Sequence, residues 1–222
     1  MNWNLKRISW YGLIINLILL FNCSESKKKE KVVIKDDLPI LSPKVYNGID
    51  SVYRTIRNFS LINQDNQIVK GTDLLGKIHV AEFFFTSCPS ICPIMAKNLL
   101  QVHEKFKNEK HFIIVSYTID PDYDTPDILR GYAKKNEIDT KTWWFLTGSK
   151  DTIYSICSED YLAFAQKDVK APGGFLHSGF FILVDENGYI RGAFDGTSMA
   201  KTEELIENIK ILLTQLNERK SS

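Results

Sequence analysis

Ile78-His79-Val80-Ala81-Glu82-Phe83-Phe84-Phe85 runs directly into Thr86-Ser87-Cys88-Pro89-Ser90-Ile91-Cys92-Pro93-Ile94-Met95. The first stretch is short, mostly apolar and rich in aromatic and β-branched residues, which is the pattern of a central strand covered on both faces. Pro89 and Pro93 then punctuate the chain, and Pro93 suits the first position of a helix, where a missing N–H costs nothing. That helix is expected from about Pro93 to Lys107, with Ile94, Leu99, Val102 and Phe106 turned inward. Two cysteines therefore stand where a buried strand feeds a helix, the end of an open sheet at which ligands usually bind.

On either side the same alternation continues. His111 to Ile119 reads as a second buried strand, and Asp120-Pro121-Asp122-Tyr123-Asp124-Thr125-Pro126 follows it. Asp124 or Thr125 can cap a helix that Pro126 opens, with Ile128, Leu129 and Tyr132 facing the core. Trp143 to Leu146 form a third strand and Asp151 to Ser158 a short helix. Phe180 to Val184 and Tyr189 to Phe194 flank Asp185-Glu186-Asn187-Gly188, a hairpin signal because Asn-Gly readily takes positive φ. Thr202 to Asn217 closes the chain as an amphipathic helix through Leu205, Ile209, Leu212 and Leu216. Phe59 to Ile62 and Gln67 to Val69 suggest a further hairpin ahead of the first buried strand. The order implies an α/β fold, a mixed sheet flanked by helices. It resembles thioredoxin-like order, with an extra N-terminal hairpin and an insertion, Tyr161 to Gly174, before the C-terminal hairpin.

The N-terminus reads as an address. Lys6 and Arg7 precede an apolar run from Ser9 to Phe21, which is the anatomy of a signal peptide and too short to span a bilayer. Leu20-Phe21-Asn22-Cys23 resembles a bacterial lipoprotein processing site, with Asn22 where Gly, Ala or Ser is usual, so Cys23 is the candidate lipidated residue. A short uncleaved anchor and simple secretion are the alternatives, and all three export the chain. Residues 1–22 are thus expected to be a signal peptide and 23–44, lysine-rich at first, a flexible tether. Residues 45–222 are expected to be one domain, located outside the cytoplasm in a bacterial cell envelope and anchored to the membrane.

Charge narrows the partners further. With 28 Lys+Arg against 27 Asp+Glu in 222 residues, no long-range field would gather nucleic acid. Glycine-rich phosphate loops are missing, and Gly173-Gly174 alone does not make a nucleotide site. Four cysteines are too few for a disulfide-stapled scaffold.

The chemistry therefore centres on Cys88 and Cys92. Backbone N–H groups at the helix start favour thiolate over thiol. A CxxC redox pair has two intervening residues; here there are three, which lets the sulfurs stand apart around a guest and still close into a disulfide. Two sulfurs on one metal would sit roughly 4 Å apart, against about 2.05 Å when bonded to each other. Soft sulfur favours Cu(I), and an added imidazole makes a site that also holds Cu(II). Of the histidines, His79, His103 and His111 are better read as packing or surface residues. His177, in Gly173-Gly174-Phe175-Leu176-His177-Ser178, lies on a glycine-loosened loop that can fold over the Cys88 end.

Phe84 to Met95, then Thr118-Ile119-Asp120-Pro121-Asp122-Tyr123-Asp124-Thr125-Pro126, then His177-Ser178 together resemble the SCO/SenC family of thioredoxin-fold copper proteins, over about Val45 to Leu216. The resemblance implies copper held by Cys88, Cys92 and His177. It also implies a role in assembling the copper centre of cytochrome c oxidase, through the oxidase's copper-accepting subunit, by metal delivery, by reducing that subunit's cysteines, or by both. Ser90 departs from the family pattern, where many members carry Asp, and removes a charge without removing a ligand. Asp120 and Asp124 match the family's aspartate segment, with helix capping and turn formation as their plainer explanation. Cys157, beside Ile153 and Ile156, reads as a small buried hydrophobe.

The alternative from another class is an extracytoplasmic thiol-disulfide oxidoreductase, in which Cys88 attacks a partner disulfide and Cys92 resolves the mixed disulfide. A peroxidase fits less well, because Phe85 occupies the place of the threonine that a peroxiredoxin carries three residues before its reactive cysteine. A copper or redox sensor signalling through a partner is a further alternative.

Overall fold

The structure, a computed structural model, describes residues 37–221. The expected signal segment 1–22, the candidate lipidation site Cys23 and residues 24–36 lie outside the described residues.

Seven strands form one mixed sheet. At its centre β5 (Ile78–Phe84) is buried at every position and runs parallel to β6 (Phe112–Thr118), in register from Ile78 opposite Phe112 to Phe84 opposite Thr118. β6 is parallel to β7 (Trp143–Thr147). On the other side of β5 lies β10 (Phe180–Val184), antiparallel, and then its hairpin partner β11 (Ile190–Asp195). The expected early hairpin, β3 (Ser60–Asn63) with β4 (Ile68–Lys70), adds antiparallel to the free edge of β7. Two short pairs stand apart from this sheet: β1 (Lys44–Tyr46) with β2 (Ser51–Tyr53), and β8 (Ala165–Lys167) with β9 (Phe175–His177).

Because β5, β6 and β7 step across the sheet in one direction, right-handed crossovers place their connecting helices α1 (Cys92–Phe106) and α2 (Pro126–Lys135) on the same face. Tyr132 of α2 meets the Phe84 ring at 5.5 Å, and α4 (Met199–Ser221) packs against α1, β11 and β5 and buries Leu205, Ile209, Leu212 and Leu216. The opposite face is covered by α3 (Lys150–Ser155) and the π-turn that follows it, where Tyr161 meets Phe83 at 5.6 Å.

Three local expectations change. Ile94 is 49% exposed, because the inward stripe of α1 runs through Met95, Leu99, Val102 and Phe106 and leaves Ile94 a step out of phase. In the turn after β10, positive φ falls on Gly188 alone; the Asp185 carboxylate orders the rest by accepting from the N–H groups of Asn187 and Tyr189, each at 3.0 Å. His177 ends the strand β9 and is not on a loop.

The chain also engages the sheet before Val45. Leu41 N–H donates to Ile190 O at 2.8 Å, and Ser42 Oγ accepts from Ile190 N–H at 2.9 Å. The nearly buried Arg191 guanidinium donates to Asp37, Leu38 O, Pro39 O and Asp185. This strap lies at the N-terminal end of β5, since Ile190 pairs with Val184 and Val184 with His79.

Candidate metal centre

At the other end of β5 the chain leaves the sheet through Phe85 and Thr86 and turns into α1. Cys92 opens that helix and Cys88 sits in the loop before it, both nearly buried. Over this loop comes β9, held antiparallel to β8 with Ala165 opposite His177. The seat is the Phe85 ring, whose centroid lies 5.2 Å from that of Phe175 and 6.0 Å from that of His177. Gly173 makes the close approach possible. Its φ is +79°, and a Cβ there would fall 2.7 Å from the Phe85 ring and 3.0 Å from Pro89 Cδ.

Folding thus brings together the three side chains that the sequence singles out. The donor atoms of Cys88, Cys92 and His177 all lie within 4.8 Å of one another, and among the described residues they are the one cluster of metal-ligand type. Both cysteines are free thiols. Cys92 Sγ is 3.4 Å from His177 Nε2, and His177 Nδ1 is 3.3 Å from Ser178 O. A carbonyl only accepts, so the proton belongs on Nδ1 and the Nε2 lone pair faces the sulfurs, as metal ligation requires. Ser90, which the sequence marks only as a lost charge, places its hydroxyl 3.6 Å from Cys88 Sγ.

The sulfurs are electrostatically unequal. The Cys88 pKa is pulled down to about 3, chiefly by a hydrogen bond from the Cys92 thiol and further by the backbone N–H groups of Ser90 and Cys92, against burial. Cys92 moves the opposite way: its proton is shared with the Cys88 thiolate, and burial opposes a second charge. One thiolate is ready at neutral pH. The second forms only when something compensates its charge, as a cation would.

The remaining candidates fall outside the cluster. His79 Nε2 pairs with Tyr161 Oη at 3.0 Å, and burial lowers its pKa to about 3. His103 Nε2 meets Thr142 Oγ1 at 3.0 Å, and His111 lies beside Lys220 Nζ. Cys157 is 1% exposed and burial raises its pKa to about 12. Thr125 caps α2, while Asp124 turns inward, fully buried, to accept from Thr86 and Thr118. Asp120 accepts from the Asp124 N–H through its backbone carbonyl at 2.8 Å.

One polar residue under the site escapes the motif-based reading. Glu82 on β5 is buried, accepts from the Ser116 hydroxyl at 2.6 Å, and has its pKa raised to about 7 by burial. Ser116 Oγ in turn accepts from Trp143 Nε1–H at 2.8 Å. The signal in the sequence is a single carboxylate in a strand that is apolar but for it and His79.

This arrangement of cysteine turn, aspartate segment and distal histidine has known counterparts, and residues 49–214 match the SCO1/SenC family. The chain belongs to the SCO1/SenC family. A SCO1/SenC family lipoprotein from Bacillus anthracis is 32% identical, with a TM-score of 0.66 over 71% of this chain and 94% of that one. BsSco, described as a member of the Sco family of cytochrome c oxidase assembly proteins and as having a disulfide switch, is 26% identical, with a TM-score of 0.65 over 78% and 99%. Arabidopsis thaliana ScoI, solved with copper bound, is 25% identical, with a TM-score of 0.59 over 71% and 99%. The thioredoxin-like mixed sheet expected from the sequence is the fold these SCO1/SenC proteins share. Among the described residues no helix is long and apolar enough to cross a membrane.

Proposed function

We propose that this protein is an extracytoplasmic copper carrier, tethered to the membrane of a bacterial envelope, that serves assembly of the copper centre of cytochrome c oxidase. Copper is its cargo, and Cys88, Cys92 and His177 are the residues that hold it. The observation carrying this reading is the 3.4 Å approach of His177 Nε2 to Cys92 Sγ, with Nδ1 turned to a carbonyl. A dithiol that only exchanges disulfides has no need of that imidazole. The donor set fits the ion: two sulfurs suit Cu(I), and the ring nitrogen extends the site to Cu(II). Cu⁺ or Cu²⁺ also supplies the positive charge that Cys92 needs in order to give up its proton.

Tethering through Cys23, and the copper-accepting subunit of the oxidase as partner, belong to the same proposal. They are supported by the signal-like N-terminus, by the B. anthracis relative described as a lipoprotein and by BsSco's description as an oxidase assembly protein. Mass spectrometry of the membrane-bound protein tests Cys23 directly: a diacylglyceryl adduct is expected, and an unmodified thiol would leave the uncleaved anchor in its place.

A second reading has its own observation, the inequality of the two sulfurs. A thiolate at Cys88 beside a protonated Cys92 is what an attacking and a resolving cysteine require. In that cycle Cys88 attacks a partner disulfide and one partner thiolate leaves. Cys92 then attacks Cys88 Sγ, the second partner thiol leaves, and two electrons pass to the partner as the Cys88–Cys92 disulfide forms. Titrating the reduced protein and its His177→Ala variant with Cu(I) and Cu(II) separates the two. The carrier reading expects one ion per chain and weaker binding in the variant. Unchanged stoichiometry and affinity without the imidazole would remove the observation that carries the carrier reading, and a wild-type protein that bound no copper would leave only disulfide exchange.

A further inference from the structure

We propose that Asp124 is the positioning residue of the centre: it ties the turn that carries Cys88 to the end of β6 and so sets how tightly the three donors grip one soft ion. The proposal rests on the copper-carrier reading and adds to it a residue that touches none of the ligands.

β5 and β6 end in register at Phe84 and Thr118 and then part, one into the cysteine turn and the other into the turn before α2. Backbone pairing beyond that point is a single bond, Ile119 N–H to Phe84 O at 2.8 Å. Asp124 closes the gap with its side chain. Oδ2 accepts from the Thr86 N–H at 3.1 Å and from the Thr118 hydroxyl, and Oδ1 accepts from the Thr86 hydroxyl. The far side is anchored in turn, since Thr118 Oγ1 accepts from the Asp120 N–H at 3.0 Å and the Asp124 N–H donates to Asp120 O at 2.8 Å. Two of the three donors to this carboxylate therefore come from one residue, two positions before Cys88.

Asp124 is fully buried, and among the described residues no lysine or arginine pairs with it. Burying a carboxylate without a counter-ion is costly unless hydrogen bonds replace its water. The helix start does not require it, because Thr125 caps α2 and Asp127 supplies the acidic group of the first turn. What the carboxylate alone provides is a fixed path for Thr86 to Cys88. A ligand loop held before the ion arrives binds it with less loss of freedom, which is how groups outside the ligand shell raise metal affinity.

The test uses the reduced full chain as Asp124→Ala, Asp124→Asn and Thr86→Val, with circular dichroism to check the fold. The asparagine keeps an acceptor for the Thr86 N–H, and its amide faces a hydroxyl that can rotate to accept, so it is the conservative rescue. Cu(II) affinity by chelator competition, the Cu(II) paramagnetic resonance signature and the ultraviolet titration of the Cys88 thiolate are read in each. Asp124→Ala should lose about 10- to 100-fold in affinity, Thr86→Val about 10-fold and Asp124→Asn less than about threefold. The Cys88 titration should move upward in the same order. A folded Asp124→Ala protein with wild-type affinity, signature and titration overturns the proposal. Should that variant fail to fold, Thr86→Val decides: wild-type affinity and titration overturn the proposal, and a tenfold loss in a folded protein sustains it. If wild-type protein bound no copper the carrier reading would fall, and amide exchange at Thr86 would judge Asp124: faster exchange in folded Asp124→Ala sustains the tie, and an unchanged rate overturns it.

Discussion

Cys92 Sγ lies 3.4 Å from the Nε2 of His177, a residue 85 positions further along the chain. The contact depends on two short strands outside the main sheet, β8 within the insertion and β9 directly after it. Metal affinity is therefore coupled to how well the insertion docks on the cysteine turn.

Removing the imidazole should separate the two oxidation states of copper. His177→Ala is expected to weaken Cu(II) binding by at least about a hundredfold, whereas Cu(I), held by soft sulfur, should lose less. Competition titrations with chelators specific for each state measure both. Equal losses would mean that the sulfurs do not form a Cu(I) site by themselves.

The thiols should report their inequality through alkylation. Cys88, with its pKa near 3, should react at neutral pH and keep reacting in mild acid, while Cys92 and Cys157 stay protected until the protein is unfolded. Mass spectrometry after a brief pulse of iodoacetamide identifies the labelled residue.

The same inequality predicts how stability follows pH. Because folding depresses the Cys88 pKa from 9.0 to about 3, its contribution is complete above 9.0 and is lost as pH falls through about 3. Cys92 opposes this above 9.0, where the unfolded chain ionises more readily. The urea midpoint of the reduced protein, relative to the oxidised form that has neither thiol, should thus fall between about pH 8 and about pH 4.

Two adjacent glycines should behave differently. Gly173 and Gly174 both have positive φ, but only at Gly173 would a Cβ meet the Phe85 ring and Pro89, while at Gly174 it meets nothing within 4 Å. Gly174→Ala should cost about 1 kcal/mol of backbone strain and leave copper binding intact. Gly173→Ala adds a collision under His177 and should cost about 2–3 kcal/mol and lower Cu(II) affinity as well. Thermal unfolding and copper titration of the two variants make the comparison.

Glu82 gives the opposite pH sign to Cys88. Its pKa rises on folding from 4.5 to about 7, so the stability it lends is complete below 4.5 and is lost as pH rises through about 7. Glu82→Gln mimics the neutral carboxyl and can still accept from Ser116. The variant should gain on wild type between about pH 5 and about pH 8, by on the order of 3 kcal/mol. Melting curves at the two pH values check it, and a constant difference would show that Glu82 is not neutralised by folding.

Much of this centre could be read from the sequence because its determinants are local. An apolar run that ends in a proline-marked cysteine pair forms β5 and α1 by pattern alone, and the Leu205 to Leu216 stripe of α4 follows the helical period. The misses share a cause: partners distant in the chain. β9 is three residues long and exists because β8 lies beside it, so nothing within Phe175 to His177 announces a strand. Asp124 and Thr125 are both good caps, and only the Thr86 and Thr118 hydroxyls explain why the aspartate turns inward. Ile94 and Met95 are adjacent and apolar, and packing chooses which one faces the core.

The Arg191 strap fixes where the chain enters the domain. It seizes the incoming chain at the start of β5, whereas the thiols stand past its end, and seven residues of strand separate the two by about 20 Å. The described chain thus enters the domain at the end away from Cys88 and Cys92. The rim around the thiols is left clear of the strap, so a molecule approaching the metal centre meets it without displacing residues 37–42.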